Sequence, residues 1–221
     1  SGRKGKDTIA GSKYNSLFNK IYNGCGDSVT NGTQAGFDAL TSDSLSYGYY
    51  ITERNNGTFI NNGIDGSTMQ DIAGRNGFAA ANGRYTQLDI DSEFITILFG
   101  INDAANGTLG AINDTDPAAS FYGAFNTVLP YLLNKHNIAK IGLITPYGAT
   151  AGHRQAVKDM GKKWGVAVLD LYDENEPLVF GRESGSIING PTVTAWKALY
   201  LADGTHPNAL GNRYISSIIE A

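Results

Sequence analysis

The stretch EFITILF, residues 93–99, decides the fold. After its opening glutamate it is continuously apolar, β-branched and aromatic, with no polar residue at alternate positions beyond Thr96. A strand with one wet face alternates, whereas an unbroken run belongs to a strand covered on both faces. The run is far shorter than the roughly 20 residues that cross a bilayer. It therefore reads as the middle strand of a parallel sheet with helices packed on either side.

The rest of the chain agrees with that centre. Strands are expected at KIYNGC (20–25), TFINN (58–62), AKIGLITP (139–146) and VAVLDLY (166–172). Between them, helical spacing appears in LSYGYYITERN (45–55), in a segment that begins with TMQDIAG near Thr68, and in HRQAVKDMGKKWG (153–165). A long amphipathic helix over 117–137 is interrupted or bent by Pro130. TVTAWKALYLA (192–202) follows an irregular stretch over 173–190, and Pro207 and Asn208 open a last helix whose Leu210, Tyr214 and Ile218 share a face. Strands alternating with helices imply right-handed crossovers and an α/β fold. The recurrent NGT at 31, 56 and 106 is turn chemistry, not a repeat.

Composition bounds the function. The 221 residues are 41% hydrophobic and 17% charged, with a formal net charge of −4. That balance offers no phosphate-binding face, so nucleic acid is not an expected partner. The basic cluster Arg3, Lys4 and Lys6 reads as a solvated terminus. A lone cysteine, Cys25, rules out an internal disulfide and reads as a small buried hydrophobe. With three histidines and neither CxxC nor HExxH, no zinc site is expected. DIDSE (89–93) and YDENE (172–176) lack EF-hand spacing and read as surface, not as calcium loops. No signal peptide is visible. Residues 1–19 read as an extension or linker remnant and 20–221 as one domain, with an extracellular or cell-surface setting expected and the oligomeric state left open.

In a parallel sheet, ligands bind beyond the carboxyl ends of the strands. The segments there are GDSVTNG after the first strand, GIDGST after the second, GINDAANG after EFITILF and PYGATAG after AKIGLIT. In DGTHPN (203–208), the proline biases His206 toward extended backbone, and Gly204 lets the loop turn so that Asp203 reaches the near imidazole nitrogen. The far nitrogen is then free to take a proton. Ser28 is the hydroxyl placed to give it, although Ser28 or Asp27 could equally cap a helix start. Acyl transfer also needs donors for a developing oxyanion. Gly66 can offer an N–H with no side chain in the way, Asn102 its amide, and Ser28 its own N–H. Gly100 allows the sharp exit from the sheet.

GDS at 26–28, Gly66 within GIDGST, GIND at 100–103 and DGTHPN at 203–208 together resemble the SGNH (GDSL-type) hydrolases, in order and over most of the chain. The serine segment lacks the last glycine of the α/β-hydrolase elbow, and Val29 stands where the family more often has leucine or isoleucine. The resemblance implies a flavodoxin-like three-layer α/β/α fold and ester hydrolysis without metal or organic cofactor. It makes Ser28 the nucleophile, Asp203 and His206 the rest of a triad, and Ser28, Gly66 and Asn102 the oxyanion hole. The expected substrate is a small-molecule or glycan ester, with carbohydrate deacetylation favoured because the presumed rim residues Tyr85, Thr86, Asn106, Thr108 and Tyr147 are aromatic or polar. Alternatives are a lipase or thioesterase of the same family and a non-catalytic carbohydrate-binding module. A flavin or nucleotide binder on the same fold fits less well, because GDSVTNG lacks a P-loop lysine and GxGxxG spacing.

Overall fold

A computed structural model of the chain describes residues 15–172 and 198–221. The basic cluster at 3–6, the stretch 173–190, most of YDENE and residues 192–197 of the expected penultimate helix lie outside it.

Five parallel strands form one sheet: β1 (Ile21–Gly26), β2 (Thr58–Gly63), β3 (Phe94–Leu98), β4 (Lys140–Ile144) and β5 (Ala167–Leu169), in the order β2-β1-β3-β4-β5. That is the flavodoxin-like strand order. β3 is the centre, as its apolar run requires: Ile95, Ile97, Leu98 and Phe99 are all buried. Burying an aliphatic or aromatic side chain of this kind contributes roughly 1.5–3 kcal/mol.

Alternation along β3 feeds two cores. Ile95, Ile97 and Phe99 face one that also takes in α4 (Phe121–Lys135) and α5 (Ala151–Trp164). Phe94 and Leu98 face the other, against α2 (Tyr47–Asn55) and α6 (Ala209–Glu220). The result is three layers, helix on sheet on helix. Two short helices, α1 (Ser28–Asn31) and α3 (Ile101–Asn106), leave the carboxyl ends of β1 and β3. Among the described residues no helix is long and apolar enough to cross a membrane.

Local chemistry explains the helix limits. Ser120, Thr150 and Asn208 each cap a helix by accepting a hydrogen bond from the backbone N–H three residues on. Asn208 is the cap of α6, so Pro207 stands just before the helix and pairs with Leu201 in an isolated bridge. Pro130 lies inside α4, which runs through it without interruption.

Two expectations need correction. No helix begins near Thr68. Gly66, Gly74 and Asn76 all have positive φ there. The Met69 and Gln70 N–H groups go to the Asp103 carboxylate, and Phe78 and Ala79 donate to the Thr68 and Met69 carbonyls. These long-range acceptors take the bonds that a helix would have made. β5 is also shorter than 166–172. Asp170 ends it by accepting from the Thr145 hydroxyl and the Tyr172 N–H while pairing with Lys158.

Candidate active site

The register aligns Gly26 of β1 with Gly63 of β2 and Leu98 of β3, so three strand ends meet at one rim. A Cβ on Gly26 would lie 2.0 Å from the Thr30 hydroxyl and 2.7 Å from the Leu98 carbonyl. Only glycine lets the chain fold back here into α1. Asp27 caps that helix through Val29 N–H, and Ser28 is its first residue. An N–H at this position has no intrahelical acceptor.

The loop before α6 meets Ser28 from across the rim. His206 Nε2 lies 2.9 Å from Ser28 Oγ, and His206 Nδ1 lies 2.7 Å from Asp203 Oδ2. The other Asp203 oxygen accepts from the Thr205 and His206 N–H groups at 3.0 and 2.8 Å. Asp203 is therefore aimed by its own turn. The His206 backbone N–H, its ring and then the Thr205 N–H hold this carboxyl down at about 2. An ionised acceptor at Nδ1 keeps the proton there and turns the Nε2 lone pair toward Ser28. Asp203 is exposed and His206 only partly buried, so the pair contributes little stability, and its consequence is orientation. Tyr147, expected on the rim, is instead buried and donates to the Thr205 carbonyl at 2.9 Å. It braces the histidine loop from beneath. Tyr85, partly buried, packs edge-on against Tyr131 beside the core.

Gly66 and Asn102 come to the same rim on two further loops. Gly66 has φ +70°, so a side chain would strain the backbone, although an added Cβ would meet only the Arg75 guanidinium at 3.8 Å. Gly100, at φ 131°, precedes α3 and swings Asn102 into its first turn. Asn102 Nδ2 donates to the Ser67 carbonyl at 3.0 Å, which fixes the amide and leaves its second proton for another acceptor. Asp103 pins the loop from below through Met69 and Gln70 N–H, at 3.1 and 2.9 Å. It follows Asn102 directly, and a second polar residue after a buried strand was its signal in the sequence. Arg84, whose guanidinium reaches this rim as well, had none.

Asp27 is the unusual charge of the site. It is buried, Oδ1 accepts from Val29 N–H, and Oδ2 has no hydrogen-bond partner among the described residues. Burial pushes its carboxyl up to about 7; the Val29 N–H pulls it down, Asp103 raises it and His206 lowers it. An unfolded aspartate titrates near ~3.9. The folded state thus holds this proton more tightly than the unfolded one. The cost of ionising Asp27 is absent below about 4, grows as pH rises toward about 7, and is complete above that. Asp27→Asn cannot ionise. Its melting temperature relative to the parent is expected to rise between pH 4 and pH 8. A difference that stays constant in thermal melts over that range would show Asp27 to be an ordinary carboxylate.

Comparisons with known proteins bear on the family and the fold. The family model described as the GDSL-like lipase/acylhydrolase family matches residues 25–214. A search of curated protein sequences gives no match. Among solved structures, a Lactobacillus plantarum protein is 22% identical, with 92% of this chain and 95% of that one covered and a TM-score of 0.73. Axe2, an acetylxylan esterase from Geobacillus stearothermophilus, is 16% identical over 92% and 94% of the two chains, with a TM-score of 0.56. At these identities the structures testify to the shared fold alone. The family model spans all four segments that meet at the rim, from the end of β1 to α6, and on that match the chain belongs to the GDSL-like lipase/acylhydrolase family.

Proposed function

We propose that the protein is a serine esterase acting on short-chain carboxylic esters, and that its natural substrate is an acetylated carbohydrate. The observation that carries the reaction is the unbroken contact chain from Ser28 Oγ through His206 to Asp203. In this reading His206 takes the Ser28 proton as Oγ attacks the ester carbonyl. The negative oxygen of the tetrahedral intermediate is held by the Ser28 and Gly66 N–H groups and the Asn102 amide. His206 Nε2 then protonates the departing alcohol, and a water molecule repeats the sequence to release the acid. Asp203 stays ionised throughout and holds the imidazole.

The substrate reading rests on the surface beyond α1. A groove of about 500 Å³ runs there, lined by Asn31, Thr33, Gln34, Asp65 and Phe37 among others. Amides, hydroxyls and a carboxylate suit sugar hydroxyls, and Phe37, 73% exposed, offers a ring to a sugar face. A long acyl chain would need a continuous apolar trough, since each buried CH₂ contributes roughly 0.8 kcal/mol. The fold shared with an acetylxylan esterase is consistent with this choice.

The test is a panel of p-nitrophenyl esters from acetate upward, followed by acetate release from acetylated xylan and other acetylated glycans. The expected kcat/KM is highest at acetate or propionate, with acetate released from at least one glycan. A rate that climbs steadily with acyl length, with no glycan deacetylated, would move the assignment to a lipase or thioesterase.

A further inference from the structure

We infer that Arg84 is a positioning residue of the oxyanion site, a side chain that helps hold the three donor-bearing segments in register; this rests on the esterase reading above. Arg84 follows no motif. It sits in a short 3₁₀ turn (Arg84–Thr86), with acceptors between 8 and 58 residues away in sequence.

Its contacts are specific. Nη1 donates to the Asn62 carbonyl near the end of β2 and, at 3.5 Å, to the Gly26 carbonyl that closes β1. Nη2 donates to Ser67 Oγ at 2.9 Å and to the Asn76 carbonyl at 3.3 Å. The Ser67 hydroxyl donates in turn to the Gly26 carbonyl at 3.2 Å, and Ile64 N–H donates to that same oxygen at 3.2 Å. Ser67 therefore couples the two loops. It directly follows Gly66, and its carbonyl anchors the Asn102 amide. Gly26 lies two residues before Ser28. Each proposed donor is thus one or two steps from a group that Arg84 touches directly or through Ser67.

The guanidinium is held in place from one side by aromatic rings. Its carbon lies 5.4 Å from the Phe78 ring centre and 5.8 Å from that of Phe99. A planar fork of donors can serve several carbonyls at once, which a lysine ammonium at the end of a flexible stem cannot. The bland alternative is that Arg84 only satisfies carbonyls in a partly buried loop. The two roles differ in what they predict for turnover. A misplacement of about 1 Å in catalytic groups can cost on the order of 10²-fold.

The experiment compares parent, Ser28→Ala, Arg84→Gln, Asn102→Ala and the double variant Arg84→Gln/Asn102→Ala on p-nitrophenyl acetate, below the melting temperature of each. Arg84→Gln is expected to lower kcat by roughly 10- to 10²-fold with KM little changed. Its effect in the Asn102→Ala background is expected to be smaller than in the parent, because groups acting as one unit are not additive. Should Arg84→Gln fail to fold, Arg84→Lys and Ser67→Ala carry the same comparison, and each is expected to lower kcat more than it raises KM. Folded variants with parental kcat, or losses that multiply independently of Asn102, overturn the inference and leave Arg84 a structural residue. A parent rate that survives Ser28→Ala overturns the esterase reading itself, and this inference with it.

Discussion

Ser28→Ala is expected to lower ester hydrolysis by about 10⁶-fold, the scale on which a serine hydrolase loses turnover when its nucleophile goes. The change removes one hydroxyl whose hydrogen bond is to His206 Nε2 at 2.9 Å. Nothing else in the site depends on that bond. His206 keeps its Nδ1 contact with Asp203, its backbone N–H still binds the same carboxylate, and Tyr147 still braces Thr205. Asp27, and not Ser28, caps α1, so the helix keeps its N-terminus. The variant should therefore melt within a few degrees of the parent, and the loss should lie in turnover alone. Activity on p-nitrophenyl acetate, with circular dichroism as the check on folding, measures it. A folded variant with near-parental turnover would remove Ser28 from the mechanism and leave a binding module as the better reading. Whatever rate remains should come from the oxyanion donors and substrate binding, which in serine hydrolases still exceed the uncatalysed reaction by about 10³–10⁴.

The sheet could be read from the sequence because burial on both faces leaves a composition. EFITILF has no alternation to confuse with an exposed strand, and Ile95, Ile97, Leu98 and Phe99 within it are almost wholly buried. The rim could be read because strand ends in a parallel sheet share one side. Once the strands were placed, GDS, GIDG and GIND had to converge, and DGTHPN needed only a proline and a glycine to present its histidine. The loop over 64–92 was not legible for the converse reason. TMQDIAG carries helical residues, but the decisive acceptor for its backbone, Asp103, lies more than thirty positions away. Local propensity has no access to such a partner. Arg84 was invisible on the same ground, since its acceptors, three carbonyls and the Ser67 hydroxyl, belong to residues with no pattern in common. Tyr147 was misread because a tyrosine in a glycine-rich loop looks the same whether its hydroxyl faces solvent or a buried carbonyl. Asp27, weighed only as a cap, does cap α1; that its second oxygen is buried without a hydrogen-bond partner among the described residues is a product of tertiary packing, which no local pattern announces.

Asn102→Ala is expected to lower kcat by about 10²–10³-fold with KM less affected, the range observed when one side-chain oxyanion donor is removed. The argument turns on when the donor is used. In the resting site one amide proton already goes to the Ser67 carbonyl at 3.0 Å, so the amide is oriented before substrate arrives. In the proposed mechanism the second proton meets an oxygen that is only partly charged in the ester and fully charged in the tetrahedral intermediate. An interaction that strengthens between those two states lowers the barrier and leaves ground-state binding nearly untouched. Two backbone donors remain in the variant, which is why the loss should fall short of that for Ser28→Ala by several powers of ten. α3 should survive, because Asp103 and not Asn102 ties it to the Met69–Gln70 backbone. Steady-state kinetics on the acetate ester separates the two parameters. A loss confined to KM would make Asn102 a substrate-binding residue and leave the oxyanion to the Ser28 and Gly66 N–H groups, whereas an unchanged kcat/KM would mean that the amide never meets the reacting carbonyl.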